Sequence, residues 1–85
     1  MPEISRFLGI VITMYWDDHL PAHFHARYGD YRIVVRIEDG VVEGRFPKRA
    51  LGHVLEWYTL HQAELESDWR LAQERQPLQP IAGLE

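Results

Sequence analysis

The sequence predicts an α+β fold, in which an antiparallel β-meander of about four strands is packed on one face by a long C-terminal amphipathic helix. Three observations support this prediction: β-branched and aromatic runs in the first half, hairpin-type turns between those runs, and one apolar stripe of helical period in the second half. The chain has 85 residues, of which 46% are hydrophobic. That is enough for one core, so we expect a single domain spanning residues 1–85.

The predicted strands lie within about residues 9–46. The run G-I-V-I-T-M-Y-W at residues 9–16 has the β-branched and aromatic composition of a buried strand, and Pro21 prevents its continuation. Three further strands follow at residues 23–28, 31–37 and 41–46. They are separated by Gly29-Asp30 and Asp39-Gly40, dipeptides that favour two-residue hairpin loops.

The two loops together predict a register for the meander. The first loop predicts the pairs Tyr28–Tyr31, Arg27–Arg32, Ala26–Ile33, His25–Val34, Phe24–Val35 and His23–Arg36. The second predicts Ile37–Val42, Arg36–Glu43, Val35–Gly44, Val34–Arg45 and Ile33–Phe46. Both loops assign each residue of the central strand to the same face, which a one-residue slip would prevent. One face is then apolar, and the open face carries His23, His25, Arg27, Arg32, Arg36, Glu43 and Arg45.

The second half predicts a helix over about residues 47–75 and an extended tail over 76–85. Pro47 suits a first helical turn. One stripe, interrupted only by Gln62, then recurs at spacings of three and four, at Leu51, Val54, Leu55, Tyr58, Gln62, Leu65, Trp69 and Ala72. A helix of this length would overhang a small sheet, which favours a kink near His61. The tail either frays or docks through Leu78, Ile81 and Leu84. We expect the acidic residues of the helix to be solvated, namely Glu56, Glu64, Glu66, Asp68 and Glu74.

Composition excludes several classes of function. The chain contains no cysteine, so disulfides and thiolate metal sites are excluded. It has no apolar run long enough for a membrane helix and no pattern typical of a signal peptide, and we therefore expect a cytoplasmic protein without a membrane partner. The formal net charge is -4, so a nucleic-acid role requires basic residues gathered on one face.

The stretch D-D-H-L-P-A-H-F-H at residues 17–25 is the strongest candidate site. Alternate residues of a strand point to the same side, so His23 and His25 are expected together among arginines. This pattern favours metal-independent chemistry on RNA or a nucleotide phosphate, with His19, His23 and His25 transferring protons and no cofactor. The residues expected to bind phosphate are Arg27, Arg32, Arg36, Arg45, Lys48 and Arg49.

Two other interpretations of the sequence stay open. His19, His23, His25 and Asp18 could instead bind a divalent transition metal, without nuclease activity. Alternatively, the chain is a non-catalytic interaction domain whose Trp57 and Leu60 edge forms a homodimer or binds a partner. A solvated polar face without any chemistry would carry the same histidines and arginines.

Long ordered blocks of the chain resemble the small bacterial domain-of-unknown-function family four-one-six-zero. The blocks are M-P-E-I-S-R-F-x-G-I, D-D-H-L-P-A-H-F-H-A, F-P-K-R-A-L and L-E-W-Y-x-L-H-Q-A-E-L. The matching motif positions are His19, Pro21, His23, Phe24, His25, Ala26, Pro47, Lys48 and Arg49. Ala22 departs from the family pattern, which has a second proline at this position. The resemblance implies the toxin of a type II toxin–antitoxin pair, with a small antitoxin protein as its partner.

Overall fold

Five strands come first in the chain and two helices follow. The structure is a computed structural model, and it describes residues 3–84. The elements are β1 Glu3–Phe7, β2 Ile10–Thr13, β3 His23–Tyr28, β4 Tyr31–Arg36, β5 Val42–Arg45, α1 Lys48–Leu60 and α2 Gln62–Gln73. All neighbouring strands pair antiparallel in the order β1-β2-β3-β4-β5. The predicted α+β meander is therefore confirmed, but it has five strands rather than about four.

The additional strand β1 forms a hairpin with β2. Phe7 pairs with Ile10, so Leu8 and Gly9 form a two-residue loop with φ angles of 51° and 80°. Positive φ at both central residues is required by a type I′ turn, and leucine rarely adopts it. A register shift between Glu3 and Ser5 also interrupts the alternation of side chains along β1. These two irregularities explain why the sequence pattern did not predict the strand.

The hairpin of β3 and β4 matches the predicted register at every pair. Phe24 lies opposite Val35, and Arg27 lies opposite Arg32. Phe24 and Val35 are fully buried, whereas Arg27 and Arg32 are exposed on the other face. The ring of Phe24 packs edge-on against Trp57 of α1, with 5.5 Å between the ring centroids. The apolar face therefore lies under the helix, as the alternation predicted.

The predicted register between β4 and β5 was wrong by two residues. The observed pairs are Arg32–Arg45, Ile33–Gly44, Val34–Glu43 and Val35–Val42. The loop is longer than Asp39-Gly40, because the Arg36 amide donates to the Val41 carbonyl at 2.9 Å and the Gly40 amide donates to the Arg36 carbonyl at 2.8 Å. Ile37 is held elsewhere: its amide donates to Ala22 and its carbonyl accepts from the Tyr58 hydroxyl. A shift of two residues keeps every side chain on its predicted face.

The predicted single helix is two helices that meet at His61. His61 has φ of -123° and ψ of 26°, which is outside the helical region, so the predicted kink is present while the continuous helix is not. The buried side chains are Ala50, Val54, Trp57 and Tyr58 in α1 and Leu65, Asp68, Trp69 and Ala72 in α2. Neither helix of the described chain has the length and apolar character needed to cross a membrane.

The C-terminal tail docks on the protein rather than fraying. The Ile81 amide donates to the Ile4 carbonyl at 2.7 Å, and the Ile81 side chain is buried. Nε1 of Trp57 donates to the Ala82 carbonyl at 2.8 Å. Trp57 is fully buried, so the predicted partner surface at Trp57 and Leu60 is wrong for the tryptophan, and Leu60 alone is exposed.

Asp68 is buried, which contradicts its predicted place on a solvated helix face. Its side chain is only 1% exposed, because the tail crosses this part of α2. Oδ1 accepts a hydrogen bond from the Gln79 amide at 2.9 Å. Oδ2 has no hydrogen-bond partner within the described residues. Burial raises the pKa of Asp68, and the nearby Glu64 adds to this, although the Gln79 hydrogen bond opposes them.

Replacing Gly44 with alanine tests the corrected register of β5. Gly44 has φ of 109°, and a Cβ there would lie 2.5 Å from the Arg32 carbonyl oxygen. We expect Gly44→Ala to lower the free energy of unfolding by about 1–3 kcal/mol. The matched control is Gly52→Ala in α1, where a Cβ meets nothing within 4 Å; it should raise the free energy by about 0.5–1 kcal/mol. Urea unfolding measures both, and a neutral Gly44→Ala would contradict the register.

Asp68→Asn tests the cost of the buried carboxylate. Since folding raises the pKa of Asp68 above its ordinary value of 3.8, the side chain favours the folded state most below that value and loses this contribution as the pH rises through the folded-state pKa. We expect Asp68→Asn to increase the free energy of unfolding at pH 7 by on the order of 1 kcal/mol. The increase should shrink at about pH 3, where Asp68 is protonated in both states. Urea unfolding that gives the same difference at both pH values would contradict this account.

Candidate functional site

The loop between β2 and β3 is held by the C-terminal end of α2. The side-chain amide of Gln73 donates to the Asp18 carbonyl at 3.2 Å, and the Asp17 amide donates to the Ala72 carbonyl at 3.4 Å. Nε of Arg75 donates to Oδ2 of Asp17 at 2.6 Å. These contacts fix the Asp18 carboxylate at one end of the open sheet face.

Asp18 brings two of the predicted histidines together. Its Oδ2 lies 2.8 Å from Nε2 of His23 and 3.3 Å from Nε2 of His25. The two rings are 5.1 Å apart between centroids, as expected for alternate residues of one strand. One potential ligand atom from each of the three side chains lies within 4.8 Å of the other two. We call Asp18, His23 and His25 the Asp18 cluster.

His23 lies on its predicted face but is not open to solvent. It is 5% exposed, because the loop and Trp69 cover it, with 5.3 Å between the two ring centroids. Nδ1 of His23 lies 2.7 Å from the Pro21 carbonyl oxygen, and the Leu20–Pro21 peptide is cis. Since both ring nitrogens are engaged, His23 is placed as a fixed member of the cluster rather than as a freely accessible proton donor.

The other two histidines of the motif face solvent to different degrees. The side chain of His25 is 32% exposed and that of His19 is 83% exposed. Nδ1 of His19 lies 3.0 Å from Oδ1 of Asp18, and its amide donates to the same oxygen at 2.9 Å. His19 therefore lies at the outer side of the carboxylate, opposite the oxygen that faces His23 and His25.

The environment of Asp18 favours its charged form. Partial burial raises the pKa of this carboxyl group. Three interactions outweigh that effect, so the pKa lies below its ordinary value. They are a hydrogen bond from His25, a hydrogen bond from the His19 amide, and the combined charge and hydrogen bond of His23. Asp18 is therefore a carboxylate at neutral pH, with two imidazoles directed at one of its oxygens.

A groove runs across the open face beside the Asp18 cluster. One part is a cavity of about 390 Å³ that includes Thr13, Arg27 and Arg32 in its lining, and the other is a cavity of about 280 Å³ that includes His19, His23 and Arg36. Both parts share His25, Val34 and Glu43. We call this combined surface the groove, and His25 stands at its middle.

Four arginines form one row across the sheet at the groove. The pairs Arg6–Val11, Val11–Arg27, Arg27–Arg32 and Arg32–Arg45 are each directly opposite in neighbouring strands. Arg6 is paired with Glu3 at 2.8 Å, but Arg27, Arg32 and Arg45 form no ion pair within residues 3–84. Like charges placed directly opposite are destabilising. We call Arg6, Arg27, Arg32 and Arg45 the arginine row.

The remaining predicted phosphate-binding residues lie elsewhere or are already paired. Arg36 lines the groove, but its Nε donates to Oδ1 of Asp39 at 2.8 Å. Lys48 is exposed at the start of α1. Arg49 lines a separate small depression with Tyr28, whose side chain belongs to the other face of the sheet. The structure therefore does not bring Lys48 and Arg49 to the groove.

The family model for Domain of unknown function (DUF4160) matches residues 9–70, which is well over half of the chain. The chain belongs to this family. The match includes all three members of the Asp18 cluster and every member of the arginine row except Arg6. No curated protein and no solved structure shows significant similarity to the chain.

Three residues of this DUF4160 site were absent from the sequence prediction. Arg6 extends the arginine row but lies on the unpredicted strand β1. Thr13 and Tyr15 line the groove, and the ring of Tyr15 packs edge-on against that of His25 at 4.8 Å. The sequence prediction gave no register between β2 and β3. With that register, the alternation of I-V-I-T places Thr13 on the open face, opposite His25.

Nuclear magnetic resonance can test the position of the proton on His23. A backbone carbonyl only accepts, so Nδ1 of His23 must donate to Pro21, and its burial should protect that proton from solvent. We expect long-range nitrogen–proton spectra to show a protonated, slowly exchanging Nδ1 on His23. His19, which is largely exposed, serves as the fast-exchanging control. A His23 with an unprotonated Nδ1 would contradict the observed geometry.

Proposed function

We propose that this protein binds RNA or a nucleotide phosphate in the groove and acts there as the growth-inhibiting toxin of a two-protein module. The observation that carries the proposal is the arginine row, which adjoins the Asp18 cluster. Guanidinium groups bind phosphate oxygens through paired, charge-assisted N–H donors. Three of these arginines have no carboxylate partner in the described chain, so their donors are available to a ligand.

The distribution of charge supports a polyanionic ligand over a small neutral one. The chain carries a net charge of -4, yet more than half of its nine Lys and Arg residues lie on the open sheet face. An acidic protein gains no general attraction for nucleic acid, so any such attraction must come from this local surface. The row spans all five strands, which suits successive phosphates of a single strand better than one isolated phosphate.

The Asp18 cluster is the reactive part of the proposed site. Its exposed member, His25, stands where the two parts of the groove meet. A phosphate held by Arg27 or Arg32 would lie next to the His25 ring, since Arg27 is two residues from His25 on β3 and alternate residues share the open face. The substrate is thus bound by arginine and presented to a histidine and carboxylate centre.

The toxin part of the proposal rests on the resemblance noted in the sequence. A toxin of this kind needs a cognate partner that blocks its active surface. An acidic segment of a small antitoxin would complement the unpaired arginines and exclude RNA from the groove. The partner surface proposed is therefore the groove itself rather than the helices.

RNA binding by arginine variants tests the phosphate part of the proposal. We expect Arg27→Gln/Arg32→Gln to weaken binding of a single-stranded RNA oligonucleotide about a hundredfold or more, since each lost charge-assisted bond contributes about 1.5–3 kcal/mol. The slope of log affinity against log salt should fall by about 0.7 for each lost phosphate contact. The control Arg49→Gln/Arg70→Gln makes the same charge change away from the groove. Fluorescence anisotropy measures the affinity of the wild type, the groove variant and the control variant. Equal affinities of the three proteins would contradict the proposal.

Induced expression in a bacterium that lacks the partner separates toxicity from binding. The wild type and the Arg49→Gln/Arg70→Gln control should slow growth, whereas Arg27→Gln/Arg32→Gln should not. Immunoblotting checks that the three proteins accumulate equally. Equal growth of all cultures at equal protein levels would overturn the toxin role even where RNA binding holds.

A further inference from the structure

The contacts of His23 leave one position, between its Nε2 and Asp18, that either a proton or a metal ion can fill. Nδ1 donates to the Pro21 carbonyl, so Nε2 carries a proton only in the imidazolium form and carries a lone pair in the neutral tautomer, the form that binds metals. This lone pair lies 2.8 Å from Oδ2 of Asp18, which also offers only lone pairs. Nε2 of His25 is directed at the same oxygen from 3.3 Å. Three electron-donating atoms therefore converge on one small volume.

Two of the three distances between these atoms match those of ligands around a metal ion, and all three atoms lie within 4.8 Å of one another. At metal–ligand distances of about 2.1 Å, neighbouring ligand atoms lie about 3.0 Å apart in octahedral and about 3.4 Å apart in tetrahedral geometry. The two Oδ2–Nε2 distances of 2.8 and 3.3 Å fall close to these values. We propose that Asp18, His23 and His25 bind a divalent first-row transition-metal ion such as Zn²⁺. The site does not depend on the proposed role in RNA binding.

The surroundings of His23 are those of an oriented metal ligand. A metal-binding histidine usually donates its second ring N–H to a carboxylate or a backbone carbonyl, which fixes the tautomer and the ring plane. The Pro21 carbonyl does this for His23, and Trp69 packs beside the same ring. The buried His23 is thus held in position before any ion arrives, which reduces the cost of forming the site.

Positive charge near the cluster does not prevent cation binding. Arg36, which faces His23 across the strands, is already paired with Asp39. The arginine row crosses β3 at Arg27, two residues further along the strand than His25. Glu43 lines both parts of the groove and adds a negative charge on the same face. The local charge is therefore mixed, as the predicted place of Glu43 on the open face implied.

The ligand set indicates which metals the site would bind and whether a coordination position would remain free. Two imidazoles and one carboxylate, with no thiolate, suit Zn²⁺ and the neighbouring first-row ions better than Ca²⁺ or Mg²⁺. Three protein ligands leave at least one coordination position free, as in catalytic rather than structural zinc sites. His25 borders the groove, so a free position on that side would be accessible to a phosphate oxygen bound by the arginine row.

Calorimetric titration of the full-length chain with ZnCl₂ tests the site. The protein is purified without a histidine tag and freed of metal by a chelator. We expect one Zn²⁺ per chain, with an affinity that falls at least tenfold in Asp18→Asn and in His25→Gln. The control His53→Gln, which alters a histidine of α1 outside the Asp18 cluster, should bind as the wild type does. Absence of binding to the wild type, or equal affinities in all variants, would overturn the proposal.

A second measurement on the wild type covers the case in which a cluster variant fails to fold. Imidazole nitrogen resonances are recorded as Zn²⁺ is added. Shifts at Nε2 of His23 and His25 at one equivalent of metal support the site. Shifts confined to His19, His53 or His61 overturn it. Since neither measurement contains RNA, their outcome is independent of whether the groove binds phosphate.

Discussion

The pairing of β3 with β4 is the constraint on which both the core and the candidate site depend. The Gly29–Asp30 loop sets this register, and side chains then alternate between two unlike environments. Phe24 enters the core under Trp57, while His25 and Arg27 reach the open face. A slip of one residue would place the histidines under α1 and the phenylalanine in solvent. The free energy of burying the apolar face therefore also selects the positions of the candidate-site residues.

That same alternation explains how much of the molecule the sequence could predict. Faces are fixed by parity, so an error of two residues between β4 and β5 left every face correct. The error did change which side chains lie opposite each other in neighbouring strands, because Arg45 pairs with Arg32 rather than with Val34. The strand β1 was hidden because Leu8 adopts a positive φ and because its bulge breaks the pattern. Local signals therefore fail where backbone conformation is irregular.

Burial of polar groups could not be predicted because distant segments cause it. Asp18 is positioned by Gln73, 55 residues further along the chain, and His23 is covered by Trp69. Both contacts require α2 to turn back toward the β2–β3 loop, which the break at His61 permits. Asp68 is enclosed by the tail in the same way. Helical periodicity predicts only which face of a helix packs against the sheet. It does not predict that a distant segment will bury a polar side chain.

The break at His61 thus has a consequence for function as well as for packing. A straight helix from Lys48 to Gln73 would extend past the sheet and leave the β2–β3 loop without its anchors. With the break, α2 holds that loop over the ends of β3 and β4, and the Asp18 carboxylate meets both imidazoles. The arginine row needs no such support, because strand pairing alone creates it. The groove therefore combines an arginine row set by the sheet with an Asp18 cluster that exists only when α2 is docked, and loss of α2 packing should separate the members of the cluster before it disturbs the row.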